Sequence, residues 1–557
     1  MRIFCSDKIG RLALGAATLL LTAMPVAFAD DWTVGGHDLQ NSRNQSTTGI
    51  SPQNVAQLRT KWVFTTGGDV TATPAVANGI VYFPDMAGNF YAVNAGTGQV
   101  VWQQKVGNWT SVAGDFARND PAISGNILIL GNQAGNNAFW NGTQYVGGGG
   151  AKVIAVDATT GAVKWVTTVE SFPTAMVTSS PAIYNGVIYV GVASAEEAAA
   201  AVRGTPCCVS RGSVVALDVQ TGKIKWKTYM VPDNGGVVGG YSGGGVWDST
   251  PVVDSQRNSL YVGTGNNYSV PIAVEQCFAK NNHKPNCTDP ADYFDAVVAL
   301  DLTTGQIKWA NRALYYDAWN VNCIEDIVPP PNFSIGPGPG ANCPTPTGPD
   351  YDFGGAGPNL ISLNGRDVLG IGEKSGIYWA LSPNDGSVAW KAQVGPGSSL
   401  GGIEWGTAFD STAIYVPISN LFGIPYQLQP SGTTVNGGSW AALDPRNGKF
   451  LWQTATPGNC SQLVPNALQG CMGLGPASAA NGVVFVGSMD VNPNNPTMFA
   501  LDTTTGNILW SFAAGSSVIA GPAIVGNSVY WGSGYGRFGP SLGTPNNKVF
   551  AFTIDAN

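Results

Sequence analysis

Two cysteines stand side by side, Cys207 and Cys208, in the stretch TPCCVSRGSVVALD. Seven more occur in the chain, and Cys5 lies inside an N-terminal leader, so eight remain to pair. Spacing points to local bridges: Cys207–Cys208, Cys277–Cys287, Cys323–Cys343 and Cys460–Cys471, as suits an oxidising compartment. Only two histidines occur, His37 and His283, the second inside one of these cysteine loops. That leaves almost no material for a Ser/His triad or a His-rich zinc site. No Cys-x-x-Cys-His is present, so the chain carries no c-type haem attachment.

The leader consists of MRIFCSDKIGR, an apolar run LALGAATLLLTAM and Ala27-Phe28-Ala29, which predicts export with cleavage of residues 1–29. No later run is long enough to span a bilayer, and Cys5 precedes the apolar run instead of following it, so no membrane anchor is expected. A periplasmic or secreted protein follows. Net charge is −8 with pI near 4.8, which excludes a basic nucleic-acid footprint. Charged residues are 11 % of the chain against roughly 25 % in an average globular protein, and Gly accounts for 74 of 557. That bias suits an all-β fold dense in turns.

Any site on such a chain must be positioned by its repeats. YAVNAGTGQVVW at 91 returns as IAVDATTGAVKW at 154, VALDVQTGKIKW at 215, VALDLTTGQIKW at 298, WALSPNDGSVAW at 379, AALDPRNGKFLW at 441 and FALDTTTGNILW at 499, with a truncated VFAFTID at 549. Each complete copy reads as a hairpin: a strand ending in Ala-x-Asp, a turn whose Gly supplies positive φ, and a return strand ending in Trp. Trp62 has no turn of its own and is the natural partner of VFAFTID. A second strand pair precedes each hairpin, as in TPAVANGIVYF at 73 and SPAIYNGVIYV at 180, with weaker versions from Pro358 and Thr407. Eight pairs and eight hairpins predict an eight-bladed β-propeller over 30–557 that closes by joining both chain ends in one blade. The intervals Ala216–Ala299 and Ala299–Ala380 are about 20 residues longer than the others, and they hold two cysteine pairs. Insertions of this kind are the expected walls of a functional site.

The Ala-x-Asp-x-x-Thr-Gly-x-x-x-Trp signature resembles the tryptophan-docking motif of the eight-bladed quinoprotein alcohol dehydrogenases. The same blades occur in the propeller scaffold of outer-membrane protein assembly, so the repeat fixes the fold and leaves activity to the site. The opening DWTVGGHDLQNSRNQSTTGISPQNVAQLRTKW is similar to the N-terminal segment of the dehydrogenases. TPCCVSRGSVVALD, GGVWDSTPVVD, GTGNNYSVP, GPDYDFG, GEKSGIYWAL and GGIEWG together resemble the polyvinyl alcohol dehydrogenase branch. That branch often carries a fused cytochrome domain, which this chain lacks, so electrons are expected to pass to a separate cytochrome c.

The resemblance implies a pocket for pyrroloquinoline quinone (PQQ) and a metal. Trp247 would cover one face of the quinone and a Cys207–Cys208 disulfide the other. Arg118, Thr178 and Lys374 would meet its carboxylates and oxygens, with Lys374 also stabilising charge on the reacting carbonyl. Trp405 matches the family, whereas Glu404 stands where many relatives have Asn. Glu196, with Glu197 as alternate, Asn266 and Asp350 would bind Ca²⁺ through oxygen. Asp352 resembles the extra ligand of the lanthanide-dependent branch. In DAWN, Asn320 occupies the place of the methanol dehydrogenase base, which an amide cannot replace. Asp350 in PDYDFGG is the expected base, with Asp317 second. The implied reaction is oxidation of a secondary alcohol, polymeric or small and lignin-like; the alternative outside catalysis is a cofactor-free scaffold.

Overall fold

A computed structural model describes residues 31–555 apart from 248–249, 281–286, 330–331, 364, 459, 461–469 and 537–541. The leader and His283 lie outside the described residues. Eight antiparallel sheets surround one axis. Blade 1 runs Ala75–Ala77, Ile80–Pro84, Asn89–Asn94 and Val100–Lys105. Blades 2 to 7 repeat it from Ala122–Ser124, Ala182–Tyr184, Val252–Asp254, Asn359–Leu363, Ala408–Phe409 and Ser478–Ala480. Blade 8 consists of Ala523–Val525, Ser528–Gly532 and Lys548–Thr553, and Arg59–Thr65 completes it with Trp62 opposite Ala551. Blade 3 gains a short fifth strand, Ala175–Met176.

The repeated Trp joins each blade to the next. Trp102 Nε1 donates to the Ala158 carbonyl at 2.8 Å, Trp226 to Leu302 at 3.1 Å and Trp452 to Thr503 at 2.8 Å. In each case the acceptor follows the Asp position of the neighbouring repeat. The Asp itself caps the turn: Asp157 Oδ1 accepts from the Thr159 and Thr160 amides at 3.0 and 3.1 Å. The turn Gly is needed twice over, for its positive φ and because the indole of the preceding blade lies on it. A Cβ on Gly448 would sit 2.5 Å from the Trp390 ring. Blade 8 lacks a complete turn, and Trp510 of blade 7 docks instead on the Leu58 carbonyl just before Arg59–Thr65, at 3.1 Å.

The segment 32–45, read in the sequence only as family-like, rings the axis. It pairs with the innermost strands, whose axis-facing edge would otherwise offer free amides. Val76 and Trp32 exchange two hydrogen bonds, and the Ile123, Val253, Leu360, Phe409 and Ala479 amides donate to Thr33, Leu39, Gln40, Ser42 and Arg43. The buried Arg43 guanidinium fixes this clasp on the Ala477 and Gly35 carbonyls and Thr73 Oγ1, at 2.7–2.9 Å.

An antiparallel four-stranded meander sends its second-to-third connection and its exit to the next blade out of the same end. The Trp-docking turns leave from the opposite end. All candidate residues fall on the first kind: Glu196, Cys207 and Cys208 between Val187–Ser194 and Ser213–Asp218, Asn266 after Ser259–Gly263, Asp350 and Asp352 between blades 4 and 5, Lys374 after Arg366–Gly372. One face therefore collects them.

Gly448→Ala is expected to cost about 1 kcal/mol for positive φ and about 1–3 kcal/mol more for pressing into the indole. Gly79→Ala, also at positive φ but with nothing within 4 Å of the added Cβ, carries only the first cost. Urea unfolding of the two variants measures the difference; equal losses would count against docking as the joint between blades.

Candidate active site

Lys374 lies in the short turn between Arg366–Gly372 and Ile377–Leu381, which Gly376 makes possible at φ +82°. Its ammonium stands 3.0 Å from Asp350 Oδ1 and 3.2 Å from Asp352 Oδ2, and its amide donates to the Asp352 carbonyl at 3.0 Å. Both carboxylates are buried, and Asp350 takes a left-handed φ of +58°. Burial, the largest influence, pushes the Asp350 carboxyl well above its usual range against the pull of Lys374. Burial also disfavours the Lys374 charge, but Asp350, Asp352, Glu404 and Glu197 outweigh it and hold the ammonium well above its ordinary range.

The Asp350 loop is braced by Asp317. Asp317 Oδ1 accepts from the Asp350 amide at 3.0 Å and Oδ2 from the Tyr351 amide at 2.7 Å. Asp317 thus holds the turn that presents Asp350. Its main chain is tied in turn to Asn267, whose amide donates to the Asp317 carbonyl at 2.9 Å. Beside it lies Asp295, fully buried, with no N–H or O–H donor at either oxygen. Burial first, and then the neighbouring Asp317, Asp352 and Glu373 carboxylates, drive Asp295 well above the carboxylate range. Nothing in FDAVVALD distinguishes this Asp from a turn residue, and sequence reasoning missed it.

Asn266 Nδ2 donates to the Asn267 and Trp319 carbonyls at 3.0 and 2.8 Å, which leaves Oδ1 buried with no protein donor. Glu196 is fully buried, and its carboxylate accepts from the Val209 and Ser210 amides at 2.7–3.0 Å. It therefore anchors the loop that follows the two cysteines. Glu197, one residue on, enters the field of Lys374, Asp352 and Asp317. Asn320 is wholly engaged as an amide: Nδ2 donates to the Tyr268 and Asn342 carbonyls and lies 3.8 Å from Cys207 Sγ, and Oδ1 accepts from Asn322.

All four disulfides expected from spacing are formed. Cys207 and Trp247 pack on one small cluster, Ala200, Cys208 and Tyr268, so the two plates come together. Trp247 lies against Gly245, Gly265 and Gly354, where a Cβ would approach its ring to 2.6–3.1 Å. Tyr268 was also missed in the sequence. Its buried hydroxyl donates to the Ser194 carbonyl at 3.3 Å, and it is held well above its ordinary pKa by burial first and then by Glu197, Asp352 and Glu196. Nearer the axis, the Arg118 guanidinium lies 5.1 Å above the Trp405 ring, and both line a cavity of about 30 Å³ with Thr71, Asn119 and Ser180. Thr178 Oγ1 is engaged by Gln133 at 3.1 Å.

The donor set fits a hard cation: carboxylates of Asp350, Asp352 and Glu197 with the unpartnered Asn266 Oδ1. No three His, Cys, Asp or Glu side chains converge by themselves among the described residues, and the positive charge between Asp350 and Asp352 is that of Lys374. An indole and a disulfide on one small cluster, with a lysine and an arginine on the same face, have the chemistry to suit a flat polyanionic cofactor. Fold and site together define an oxidoreductase built on a propeller. A family model described as glucose/ethanol/alcohol dehydrogenase, beta-propeller domain, matches residues 32–326, and one described as outer membrane protein assembly factor BamB matches 436–540. The chain is 30 % identical over 94 % of its length to 77 % of a polyvinylalcohol dehydrogenase of Pseudomonas sp, and 31 % identical over 96 % to 78 % of one from Sphingopyxis sp. (strain 113P3). Quinohemoprotein alcohol dehydrogenase of Comamonas testosteroni superposes with a TM-score of 0.66 at 20 % identity, covering 95 % of this chain and 82 % of that one. The chain belongs to the PQQ-dependent alcohol dehydrogenase family.

Lys374→Met leaves Asp350 and Asp352 without their ammonium partner. The folded-state Asp350 carboxyl, already raised by burial, then titrates even further above the unfolded value, so the folded chain binds more protons and stability falls as pH rises. In chelator-treated buffer the melting-temperature gap between wild type and variant is expected to widen from pH 5 to pH 8. A gap independent of pH would refute the buried charge balance.

Proposed function

We propose that this enzyme is a periplasmic dehydrogenase that oxidises secondary alcohols, polyvinyl alcohol foremost, to ketones and passes the electrons to a separate cytochrome c. The observation that carries the reading is the Lys374 ammonium at 3.0 and 3.2 Å from two buried carboxylates on the face that also holds the paired plates. Similarity to the two polyvinylalcohol dehydrogenases over nearly the whole chain supports the substrate class. Four disulfides and the leader-like N-terminus support export. No helix among the described residues is long and apolar enough to cross a membrane.

Asn266 and Asp350, with Glu197 in place of the amide-bound Glu196, would hold Ca²⁺ through oxygen, and Asp352 would supply the additional carboxylate that a lanthanide takes. Trp247 and the Cys207–Cys208 disulfide would cover the two faces of PQQ, and Arg118, Thr178, Glu404 and Trp405 would meet its edge. Bound PQQ with its cation supplies the electrophilic carbonyl that accepts hydride. Asp350 takes the proton of the substrate hydroxyl, Asp317 keeps the Asp350 loop in place through two amides, and Lys374 stabilises negative charge at the reacting oxygen.

Asp350→Asn is expected to lower kcat by about 10²–10⁴-fold while the protein retains quinone, read from its absorption spectrum; near-normal turnover overturns the assignment. Chelation is expected to abolish activity, and added Ca²⁺ to restore it. In Asp352→Ala, turnover with Ca²⁺ is expected to survive and any turnover with La³⁺ to be lost, as metal titration of steady-state rates will read.

A further inference from the structure

A groove of about 490 Å³ opens on the catalytic face beside blade 5. Its inner end is one residue from the charged centre on two strands of chain, because Tyr351 follows Asp350 and Glu373 precedes Lys374. Leu314, Tyr351 and Ile377, each half-buried, and Ile424, 44 % exposed, give it an apolar stripe that runs toward the blade 6 loop. Exposed Lys391 and Gln393, two residues apart on Val388–Gln393 and hence on one face of that strand, give it a polar flank. Its charges are already engaged: the Lys391 ammonium lies 4.8 Å above the Trp379 ring, and Glu373 Oε2 accepts from Trp379 Nε1 at 2.8 Å and from the Ser375 hydroxyl.

A groove with an apolar stripe and a hydrogen-bonding flank suits an uncharged chain of alternating methylene and carbinol groups. A small alcohol would not reach from the reacting centre to Ile424. Resting on the activity proposed above, we infer that this groove is a polymer subsite: it holds the units of a polyvinyl alcohol chain that flank the carbinol being oxidised. Leu314, Ile377 and Ile424 contact the methylenes, and Gln393 and Lys391 meet the hydroxyls. The subsite separates polymer from small alcohol by KM without touching the chemistry.

The test uses Leu314→Ser/Ile424→Ser and, against misfolding of the double variant, Ile424→Asp alone at its exposed position. In native electrophoresis of the cofactor-free chain through a gel containing polyvinyl alcohol, wild type is expected to be retarded and both variants to run as in a polymer-free gel. In the reconstituted enzyme, kcat/KM for the polymer is expected to fall about tenfold, as loss of apolar contact area implies, with kcat/KM for 2-butanol within about twofold of wild type. Undiminished retardation of the variants, or equal falls for polymer and 2-butanol, overturns the subsite. Failure of wild type to oxidise either alcohol would instead sink the proposed activity, and the gel would still decide whether the groove binds polymer.

Discussion

The contact on which the rest of the molecule depends is the indole of one blade lying on the turn of the next. A Trp Nε1 donates to a main-chain carbonyl while the ring covers a glycine too close for any Cβ. This one contact sets distance and rotation together, since the hydrogen bond fixes the azimuth and the ring–glycine approach fixes the gap. Repeated around the axis, it leaves each blade one orientation. Where the repeat is broken, at the junction of the chain ends, Leu58 supplies the missing carbonyl. The clasp of residues 32–45 closes the inner edges that docking at the outer rim does not reach.

From that constraint the location of the site follows. The docking turns occupy one end of every blade, so inserted chain can leave only from the other without disturbing the joints. The long connections of blades 3 to 5 accordingly converge on a single face, two of them stapled by Cys277–Cys287 and Cys323–Cys343. Rigid attachment matters there because the centre holds several carboxyls in close company. Like charges at such range coexist only when one is protonated, one is braced by amides, or a cation lies between them. All three devices are at work: burial pushes Asp295 toward its protonated form, Asp317 accepts two backbone amides, and Lys374 bridges Asp350 and Asp352.

The adjacent cysteines make sense in this setting. Glu196 bonds the Val209 and Ser210 amides and so ties the disulfide loop to the helix Glu196–Ala199. Asn320 fastens the same loop from the blade 4–5 connection through Cys207 and Tyr268. The last residue of DAWN thus serves as a saturated amide that ties the Cys207 loop to the blade 4–5 connection.

The blade count, the closing partner of Trp62 and the cysteine pairs were legible in the sequence, because each rests on local pattern: a period-two strand, a Gly turn, a short cysteine spacing. Family resemblance picked out Trp247, Asn266, Asp350 and Lys374 from short motifs. What no local pattern carries is which of two neighbouring side chains turns inward. Glu196 and Glu197 are equivalent as letters, and only the position of the Val209 and Ser210 amides, contributed from 13 and 14 residues away, separates them. Asp317, plausible as a base by its motif, became a brace because the Asp350 and Tyr351 amides come to it from more than 30 residues downstream. Asp295 and Tyr268 acquired their roles through burial beside charges on other blades. The sequence by itself determined the propeller, since its joints repeat every blade; the tertiary structure alone decided the centre, because charge interactions depend on distances that chain order does not encode.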